Sequence, residues 1–301
     1  MRSSTHASGS TEAAAALQPR PSRSAWWDAL SRLRRSRGTW VGTVILGLVI
    51  LSALGADVLS PHDPLAVEAN DRFLPPGPGH VFGTDILGRD ILSRMLFGGR
   101  LSLVTGIISV SFALIIGVPM GILSGFYGGL ADRLIMRVAD LMLTFPGILL
   151  ALVIVAVLGP SLMNAMIAVG ISASPTYARV VRATTLANKT EAYIEAARAL
   201  GCSTLRIMVK HILPNTMAPL IVLGTLGVAG AMISAAALSF LGLGAQPPEP
   251  EWGALLSEGR SYLRVAWWMT AFPGLAIMVT VLAINLLGDG LRDALDPRLR
   301  Y

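Results

Sequence analysis

Charged residues are scarce in this chain, and their scarcity indicates its class. They make up 14% of the 301 residues, while 53% are hydrophobic and the mean hydropathy is +0.63. An average soluble domain carries about 25% charged residues, so the composition is that of a membrane protein. The net charge of +6 comes from basic residues in loops and near the N-terminus. Membrane topology explains this pattern better than binding to nucleic acid, and we expect no nucleic-acid partner.

Signals for a cofactor are also missing. The single cysteine, Cys202, excludes an internal disulfide framework. The histidines show no ligand spacing, so no metal site is expected; they are His6, His62, His80 and His211. No phosphate loop of the form Gly-x-x-x-x-Gly-Lys-Ser/Thr occurs. We therefore expect no catalytic residue and no cofactor in this chain.

Six hydrophobic segments are long enough to cross a bilayer, which takes about 20 apolar residues. They are residues 38–56, 101–124, 134 to the Gly159-Pro160 break, Ser161 to about 178, 214–238 and 265–288. The fold class is therefore an all-α membrane protein with six transmembrane helices. With both termini in the cytoplasm, three quarters of the lysine and arginine residues lie inside, which favours that orientation.

This topology divides the chain into five parts. They are a cytoplasmic N-terminal tail with an interfacial helix around Trp26 (1–38), the first transmembrane helix (39–59), an extracytoplasmic loop (60–100), a core (101–290) and a cytoplasmic C-terminal tail (291–301). The extracytoplasmic loop is expected to end in a short amphipathic helix over residues 86–97. The core holds the other five transmembrane helices and a polar cytoplasmic loop near residues 188–214.

No predicted span has a central Asp, Glu, Lys or Arg. Such residues usually mark a proton or ion relay, so their absence argues against an ion-coupled carrier. An intramembrane enzyme would need a nucleophile with a base, or paired carboxylates or histidines, and the spans lack these too. Prolines and small residues in the spans indicate either ordinary packing or hinges beside a pathway. Polar residues that could line such a pathway are Asn164, Ser172, Ser174, Thr176, Thr280 and Asn285.

The polar loop near residues 188–214 has the pattern of a helical hairpin. Asn188 and Glu191 have capping-box spacing, Gly201 can end the first helix, and Ser203 can cap the second. A small apolar face is predicted from Tyr193, Ala196, Ala197 and Leu200. The residues alone leave two alternatives, a docking helix for a partner or a simple interfacial loop helix.

Residues 195–214 resemble the EAA loop in permease subunits of bacterial ATP-binding-cassette (ABC) importers. That signature reads Glu-Ala-Ala, three residues, Gly, nine residues, Ile, one residue, Leu-Pro. The matching residues here are Glu195, Ala196, Ala197, Gly201, Leu213 and Pro214, and His211 replaces the isoleucine. Residues 82–103, 238–260 and 288–300 resemble the dipeptide, oligopeptide and nickel branch. The resemblance covers roughly residues 40–300, and the long outer loop and C-terminal tail are similar to the C-type permease subunit.

The resemblance implies the MetI-like fold of a type I ABC importer permease in the bacterial cytoplasmic membrane. It implies four kinds of partner besides the lipid bilayer: a B-type permease subunit, two ATPase subunits and an extracytoplasmic substrate-binding protein. It also implies that the six signature residues couple the chain to an ATPase. The binding protein would dock on outer-loop residues, for which the candidates are Asp85, Arg89, Asp90, Gln246 and Trp252. A local ion network of Asp85, Arg89 and Asp90, and a membrane anchor at Trp252, are the alternative interpretations.

The function implied by this resemblance is import of di- or oligopeptides, powered by ATP hydrolysis in partner subunits. Nickel or another small solute is the alternative, because the binding protein does most of the selection in this family. An ion-coupled carrier that works alone is a rival of another class. It leaves the helix around Glu195 without a role.

Overall fold

The computed structural model describes residues 36–295. This part of the chain consists of helices and turns, with one isolated bridge between Thr84 and Asp90. The predicted interfacial helix around Trp26 and the last residues of the C-terminal tail lie outside the described residues. In chain order the helices are α1 (Arg37–Leu54), α2 (Ala56–Leu59), α3 (Ile91–Tyr127), α4 (Gly129–Leu143), α5 (Gly147–Leu158), α6 (Leu162–Lys189), α7 (Ala192–Ala199), α8 (Thr204–Ile207), α9 (Leu213–Phe240), α10 (Trp252–Gly259) and α11 (Trp268–Leu295).

Four helices within residues 36–295 are long and apolar enough to cross a membrane. They are α1, α3, α11 and the continuous helix Thr204–Phe240, which joins α8 to α9 through a π-helical turn at Met208–Ile212. Taken together, α4 and α5 supply a fifth candidate, bent by 95°. α6 is not among these candidates; it carries Asn164, Pro175 and Arg179. Length and composition thus give four or five spans, and the sixth remains a prediction.

The predicted separation of a short amphipathic helix from the second span is wrong. α3 runs without a break from Ile91 to Tyr127, and the Asp90 side chain caps it by accepting from the Ser93 backbone N–H. Gly98 and Gly99 lie inside this helix because another segment packs closely there. A Cβ atom on Gly98 would lie 2.0 Å from the Pro250 carbonyl oxygen. This glycine pair marks a close contact and does not end the helix.

The third predicted span, which begins near residue 134, is divided into two helices. α4 ends at Leu143, and α5 begins only at Gly147. Pro146 explains the bend, because the residue before a proline is disfavoured in helical geometry. The predicted break and cap that follow are confirmed. Gly159 has φ +93, and the Ser161 hydroxyl accepts from the Asn164 backbone N–H at 3.1 Å.

The polar loop forms a hairpin of α7 and α8, but it starts later than predicted. The capping box at Asn188 and Glu191 is wrong, since α6 continues to Lys189 and α7 begins without a side-chain cap. The predicted turn residue is confirmed, with Gly201 at φ +77. Ser203 also caps α8 as predicted, accepting from the Arg206 backbone N–H at 3.4 Å. We call α7, the Gly201 turn and α8 the α7–α8 hairpin.

Glycines allow α3 and α6 to pack in backbone contact. Gly117, Gly121 and Gly125 are spaced by four residues on α3, and a Cβ atom on each would lie within 3.0 Å of a carbonyl oxygen of α6. Small residues at this spacing are a common means of helix association in membranes. The close fit makes α3 and α6 the rigid centre of the bundle.

The long helices connect two ends of the molecule, which we call the loop end, after residues 60–90, and the hairpin end, after the α7–α8 hairpin. At the loop end, residues 60–90 meet α10 and the start of α11, where the Trp268 indole N–H donates to the Thr84 carbonyl at 3.0 Å. At the hairpin end, Arg198 of the α7–α8 hairpin lies over the Phe126 ring in the last turn of α3, and Lys189 at the end of α6 donates to the Phe126 carbonyl. α3 therefore starts at the loop end and finishes at the hairpin end.

Contacts place the remaining helices between the same two ends. α6 starts at the loop end, where Leu162 packs with Ala245 and Ala254. α1 finishes there, because the Ala53 carbonyl accepts from Arg100 at 2.6 Å. α11 begins at Trp268, beside the outer loop, and its far end lies against the start of α1. The α4–α5 pair leads from the end of α3 back to the start of α6.

Candidate coupling hairpin and translocation cavity

α7 has one buried and one exposed face. Ile194 is fully buried and Ala197 is 7% exposed, and both join a hydrophobic cluster with Ile207 and Ile212. Burial of a side chain such as Ile194 contributes about 2 kcal/mol. The buried face fixes the helix to the rest of the chain. It also corrects the predicted apolar face, because Ala197 is buried whereas Tyr193 and Leu200 are exposed.

The exposed face of α7 presents apolar side chains to the outside. Leu200 is 85% exposed and Tyr193 is 41% exposed, and Leu205 at the start of α8 is 67% exposed. Glu195 and Ala196 are also exposed. A large leucine that ends a short helix at such exposure is suited to contact with another surface. The predicted coupling residues thus split, with Glu195 and Ala196 outside and Ala197 inside.

Direct contacts connect the hairpin to α3 and α9. The Tyr193 hydroxyl accepts from the Asn215 amide at 2.9 Å, so α7 is tied to the first turns of α9. Arg198 lies with its guanidinium carbon 5.4 Å from the centre of the Phe126 ring on α3. Leu213 is half-buried and Pro214 is exposed at the start of α9. A displacement of α7 would therefore act on both helices at once.

The cluster that holds Ile194 continues toward the middle of the bundle. It includes Phe126 and Ile122 of α3, Val181 of α6 and Leu220 of α9. It then reaches residues beside a cavity, among them Val110, Val169 and Tyr177. Protein interiors are packed too densely to absorb a displacement locally. The hairpin and the cavity are therefore parts of one packed unit.

The cavity lies between α3, α4–α5, α6 and α9 and has a volume of about 530 Å³. Ser172 and Thr176, two of the predicted pathway residues, line it, together with Ser109, Ser234 and Gly227. Its wall is mainly apolar, with Val110, Met142, Phe145 and Leu226 among the side chains. A wall of this kind offers hydroxyl groups and no fixed charge to a passing molecule.

The other four predicted pathway residues lie elsewhere. Asn164 donates to the Leu158 and Gly159 carbonyls, each at 3.0 Å, and so closes the end of α5. Ser174 is 1% exposed and donates to the Ile171 carbonyl at 2.8 Å. Thr280 is fully buried on α11 and donates to the Ala276 carbonyl at 2.7 Å. Asn285, also on α11, does not line the cavity. The structure thus assigns Asn164 a capping position.

A buried ion network orders the loop end. Asp85 is 1% exposed and accepts from Arg89 at 2.6 Å and from Arg94 at 2.7 Å through one oxygen. Both arginines also donate to Glu258 of α10, Arg94 in a bidentate manner at 2.6 and 3.0 Å. The network ties residues 85–94 to α10. It includes Asp85 and Arg89 of the ion-network alternative, whereas Asp90 lies outside it and caps α3. The sequence did not predict the ion pair between Arg94 and Glu258, because these residues lie 164 positions apart in the chain.

The other predicted docking residues occupy different positions. Trp252 is 4% exposed, and its indole N–H donates to the Met95 carbonyl at 2.9 Å. It therefore fills the contact between α10 and α3 and is neither a surface anchor nor an open docking group. Gln246 is exposed and donates to the Gly242 and Gly244 carbonyls. Asp90 is buried as the cap of α3.

Two family descriptions match the chain. Residues 117–301 match the binding-protein-dependent transport system inner membrane component family. Residues 24–76 match the N-terminal transmembrane domain of oligopeptide transport permease C. Together these matches include both the hairpin and the first helix.

Curated relatives match over nearly the whole chain. The dipeptide transport system permease protein DppC of Alkalihalophilus pseudofirmus is 47% identical over 92% of this chain and 91% of its own length. The di/tripeptide transport system permease protein DppC of Pseudomonas aeruginosa is 45% identical over 94% of both. The glutathione transport system permease protein GsiD of Escherichia coli O157:H7 is 46% identical over 94% of both.

A solved structure shares the fold. A chain from a crystal structure of the MetNI methionine ABC transporter in an inward-facing conformation superposes with a TM-score of 0.54 at 22% identity. The match covers 67% of this chain and 96% of that chain. The MetI-like fold predicted from the EAA resemblance is therefore confirmed at the level of the helical core.

Proposed function

Because the chain belongs to the family of binding-protein-dependent transport system inner membrane components, we propose that it is the permease subunit of an ABC importer for peptides. The relatives reported above are named for dipeptides, di- and tripeptides and glutathione, which favours a short peptide over nickel as the cargo. The single observation that carries the mechanism is the packed connection from the exposed hairpin to the cavity.

The chain crosses the bacterial cytoplasmic membrane six times, with the hairpin end in the cytoplasm. The contacts at the loop end support this topology, because α10 and residues 85–94 are held together by Arg94 and Glu258. These two segments must lie on one side of the membrane. Four helical passes join them, so the α4–α5 pair and α6 either both cross or both stay on one side. The ends of α6 favour crossing, because Leu162 packs with Ala245 and Ala254 at the loop end and Lys189 donates to the Phe126 carbonyl at the hairpin end. The basic residues favour the cytoplasm for the hairpin end.

The α7–α8 hairpin is the contact for an ATPase subunit. Tyr193, Ala196 and Leu200 would enter a groove on that subunit, as in other helix-in-groove complexes, and Glu195 would face a basic group. Binding of ATP would draw two ATPase subunits together and move the hairpin. Ile194 and Ala197 would pass this motion to α3 and α9, whose separation sets the width of the cavity. ATP acts here through its different affinities for the two states.

The cavity is this subunit's share of the path for the peptide. A second, B-type permease subunit would complete the path, and an extracytoplasmic binding protein would deliver cargo at the loop end. Ser172 and Thr176 offer hydroxyl groups that can donate or accept along a peptide backbone. The lack of fixed charge in the wall suits cargo of varied side chains. ATP and Mg²⁺ belong to the ATPase subunits.

The assembly can be tested by purifying the chain from its host with its associated proteins. We expect two nucleotide-binding chains and a second permease chain, and ATP-dependent uptake of a labelled dipeptide when all are reconstituted in vesicles with a binding protein. Nickel uptake in the same vesicles measures the alternative cargo. Accumulation of dipeptide by the isolated chain, without nucleotide-binding partners, would instead establish a self-sufficient carrier and contradict the proposal.

A further inference from the structure

Two histidines that are distant in the sequence lie together at the loop end. His62 and His80 have ring centres 4.6 Å apart, and both face the Asp90 carboxylate. The Nδ1 atom of His80 lies 3.0 Å from Asp90 Oδ1, and the Nδ1 atom of His62 lies 3.8 Å from the same oxygen. His62, His80 and Asp90 each offer one possible ligand atom, and these three atoms all lie within 4.8 Å of one another. Two histidines that showed no ligand spacing in the sequence thus join Asp90 in a cluster that could hold a metal ion.

We propose that His62, His80 and Asp90 form a binding site for a divalent transition-metal ion, with Zn²⁺ as the best match. Ligands about 2.0–2.1 Å from a tetrahedral zinc ion lie about 3.3 Å from one another. The separations of 3.0 and 3.8 Å bracket that value. Two imidazole nitrogens select zinc, nickel or copper over Mg²⁺ and Ca²⁺, which prefer oxygen ligands. Three protein ligands leave a fourth position open to water.

The charge of Asp90 gives an independent reason for a cation here. Its side chain is fully buried, and a nearby positive charge stabilises a buried carboxylate in addition to the hydrogen bonds that Asp90 accepts from Ser93. Within residues 36–295, the basic groups that lie within ion-pair distance of it are His62 and His80. A metal ion between the three groups supplies that charge and uses the neutral imidazoles as ligands.

Surrounding hydrogen bonds orient the three ligands. Asp90 Oδ2 accepts from the backbone N–H and the hydroxyl of Ser93, at 2.8 and 2.7 Å, which leaves Oδ1 for the metal. The same Ser93 hydroxyl oxygen accepts from the His62 backbone N–H at 3.2 Å. Asp71 Oδ2 lies 3.8 Å from His80 Nε2, on the ring edge away from Asp90. A carboxylate behind a ligating imidazole is a frequent second-shell arrangement in metal sites.

The ion would fasten three separate segments together. His62 follows α2, His80 lies in the irregular part of the outer loop, and Asp90 caps α3. Residues 60–90 otherwise carry little regular structure, since their described helix is the 3₁₀ turn at Ala69–Asp71. Occupancy of the site would therefore hold the outer loop on the start of α3, beside the Arg94–Glu258 network.

The test uses the full-length chain in detergent, purified with a histidine-free affinity tag. Zinc content is measured by mass spectrometry after dialysis, and affinity by titration with ZnCl₂ against a fluorescent chelator. We expect one Zn²⁺ per chain and no displacement by millimolar Mg²⁺. His62→Ala and His80→Ala should each lower the affinity more than about 100-fold, and Asp71→Asn about 10-fold, as for second-shell partners elsewhere.

Two comparisons keep the result interpretable. His62 has a side chain that is 40% exposed, so His62→Ala should still fold, as checked by gel filtration. His211→Ala removes a histidine at the hairpin end and is the matched control, with unchanged zinc binding expected. Zinc should also raise the melting temperature of the parent chain and not that of His62→Ala. Equal zinc content in the parent and in a His62→Ala/His80→Ala double variant, or no binding by the parent, would overturn the proposal.

Discussion

Burial decides what a charged side chain does in this protein. Arg94 is 1% exposed and binds two carboxylates, whereas Arg179 pairs with Asp140 at a site where both side chains are about half exposed. The Coulomb attraction between exposed charges is screened by water, and such pairs contribute about 0–1 kcal/mol. Loss of one partner of a buried pair leaves the other charge without compensation, at a cost of about 3–5 kcal/mol.

The first prediction compares these two arginines. Arg94→Ala should lower the free energy of unfolding of the detergent-solubilised chain by about 3–5 kcal/mol, because Asp85 and Glu258 lose a shared donor. Arg179→Ala, the matched control, should change it by less than about 1 kcal/mol. Chemical denaturation followed by tryptophan fluorescence measures both. Equal effects of the two substitutions would show that the buried network does not hold the loop end.

Gly201 is a second residue whose local geometry is decisive. Its φ of +77 lies in the left-handed region, and a Cβ atom built there would meet no atom within 4 Å. Any cost of a side chain therefore comes from the backbone conformation and not from a clash. Other residues pay about 1–2 kcal/mol in this region, and asparagine tolerates it better than alanine.

The second prediction orders three substitutions by this cost. Gly201→Ala should destabilise the chain by about 1–2 kcal/mol, and Gly201→Asn by less. Gly47→Ala, within α1 and with open space around its Cβ position, should be neutral or stabilising, because alanine favours a helix. Melting temperatures in detergent rank the variants. A Gly201→Ala variant as stable as Gly47→Ala would contradict the left-handed turn.

Among the elements, the sequence predicted those whose signals are local. Apolar length located α1, α9 and α11, and the Gly201–Ser203 turn signal located the join between α7 and α8. Errors arose where a long-range contact overrides the local signal. The amphipathic helix was predicted to end at residue 97, yet Gly98 and Gly99 lie inside α3, where Pro250 and Trp252 pack against them. Likewise, a tryptophan in an outer loop is typical of a membrane anchor, but the structure shows that Trp252 is buried.

The hairpin is the element whose two faces can be tested separately. The third prediction is that Leu200→Asp leaves the stability of the isolated chain unchanged, because this side chain is 85% exposed. In the reconstituted importer it should weaken ATPase binding at least about 10-fold, since a charge would enter an apolar groove, a loss of about 1.4 kcal/mol or more. Affinity is measured by pull-down with purified ATPase subunits.

Ala197→Trp is the matched comparison at a buried position of α7. Ala197 is 7% exposed and packs in the central cluster, so a large ring there should destabilise the isolated chain by about 1–3 kcal/mol through overpacking. The two variants should therefore separate partner binding from folding. Full ATPase binding by Leu200→Asp would remove the docking role from the exposed face.

At the scale of the whole molecule, the sequence predicted the class, the family and the order of helices. It could not predict which polar residues share a space. Ser172 and Thr176 line the cavity while Ser174, between them, is buried in a helix contact. His62, His80 and Asp90 meet only because an irregular loop returns to the start of α3. Such contacts depend on how irregular segments and separate helices pack, which the spacing of residues along one helix does not specify.

The number of crossings is the last prediction, and the single native cysteine makes it accessible. In a Cys202→Ser background we place cysteines at exposed positions: Val67→Cys in the outer loop, Pro160→Cys between α5 and α6, and Leu205→Cys in the hairpin. An impermeant maleimide applied to intact cells should label the first two and leave Leu205→Cys unlabelled until the membrane is permeabilised. Six crossings require this pattern, because the α4–α5 pair then carries the chain from the hairpin end to the loop end.

If Pro160→Cys instead reacts only after permeabilisation, together with Leu205→Cys, then the α4–α5 pair returns to the side from which it started. α6 could not then cross as well, and the six-span topology would be wrong even though the fold of the core is shared with a known transporter.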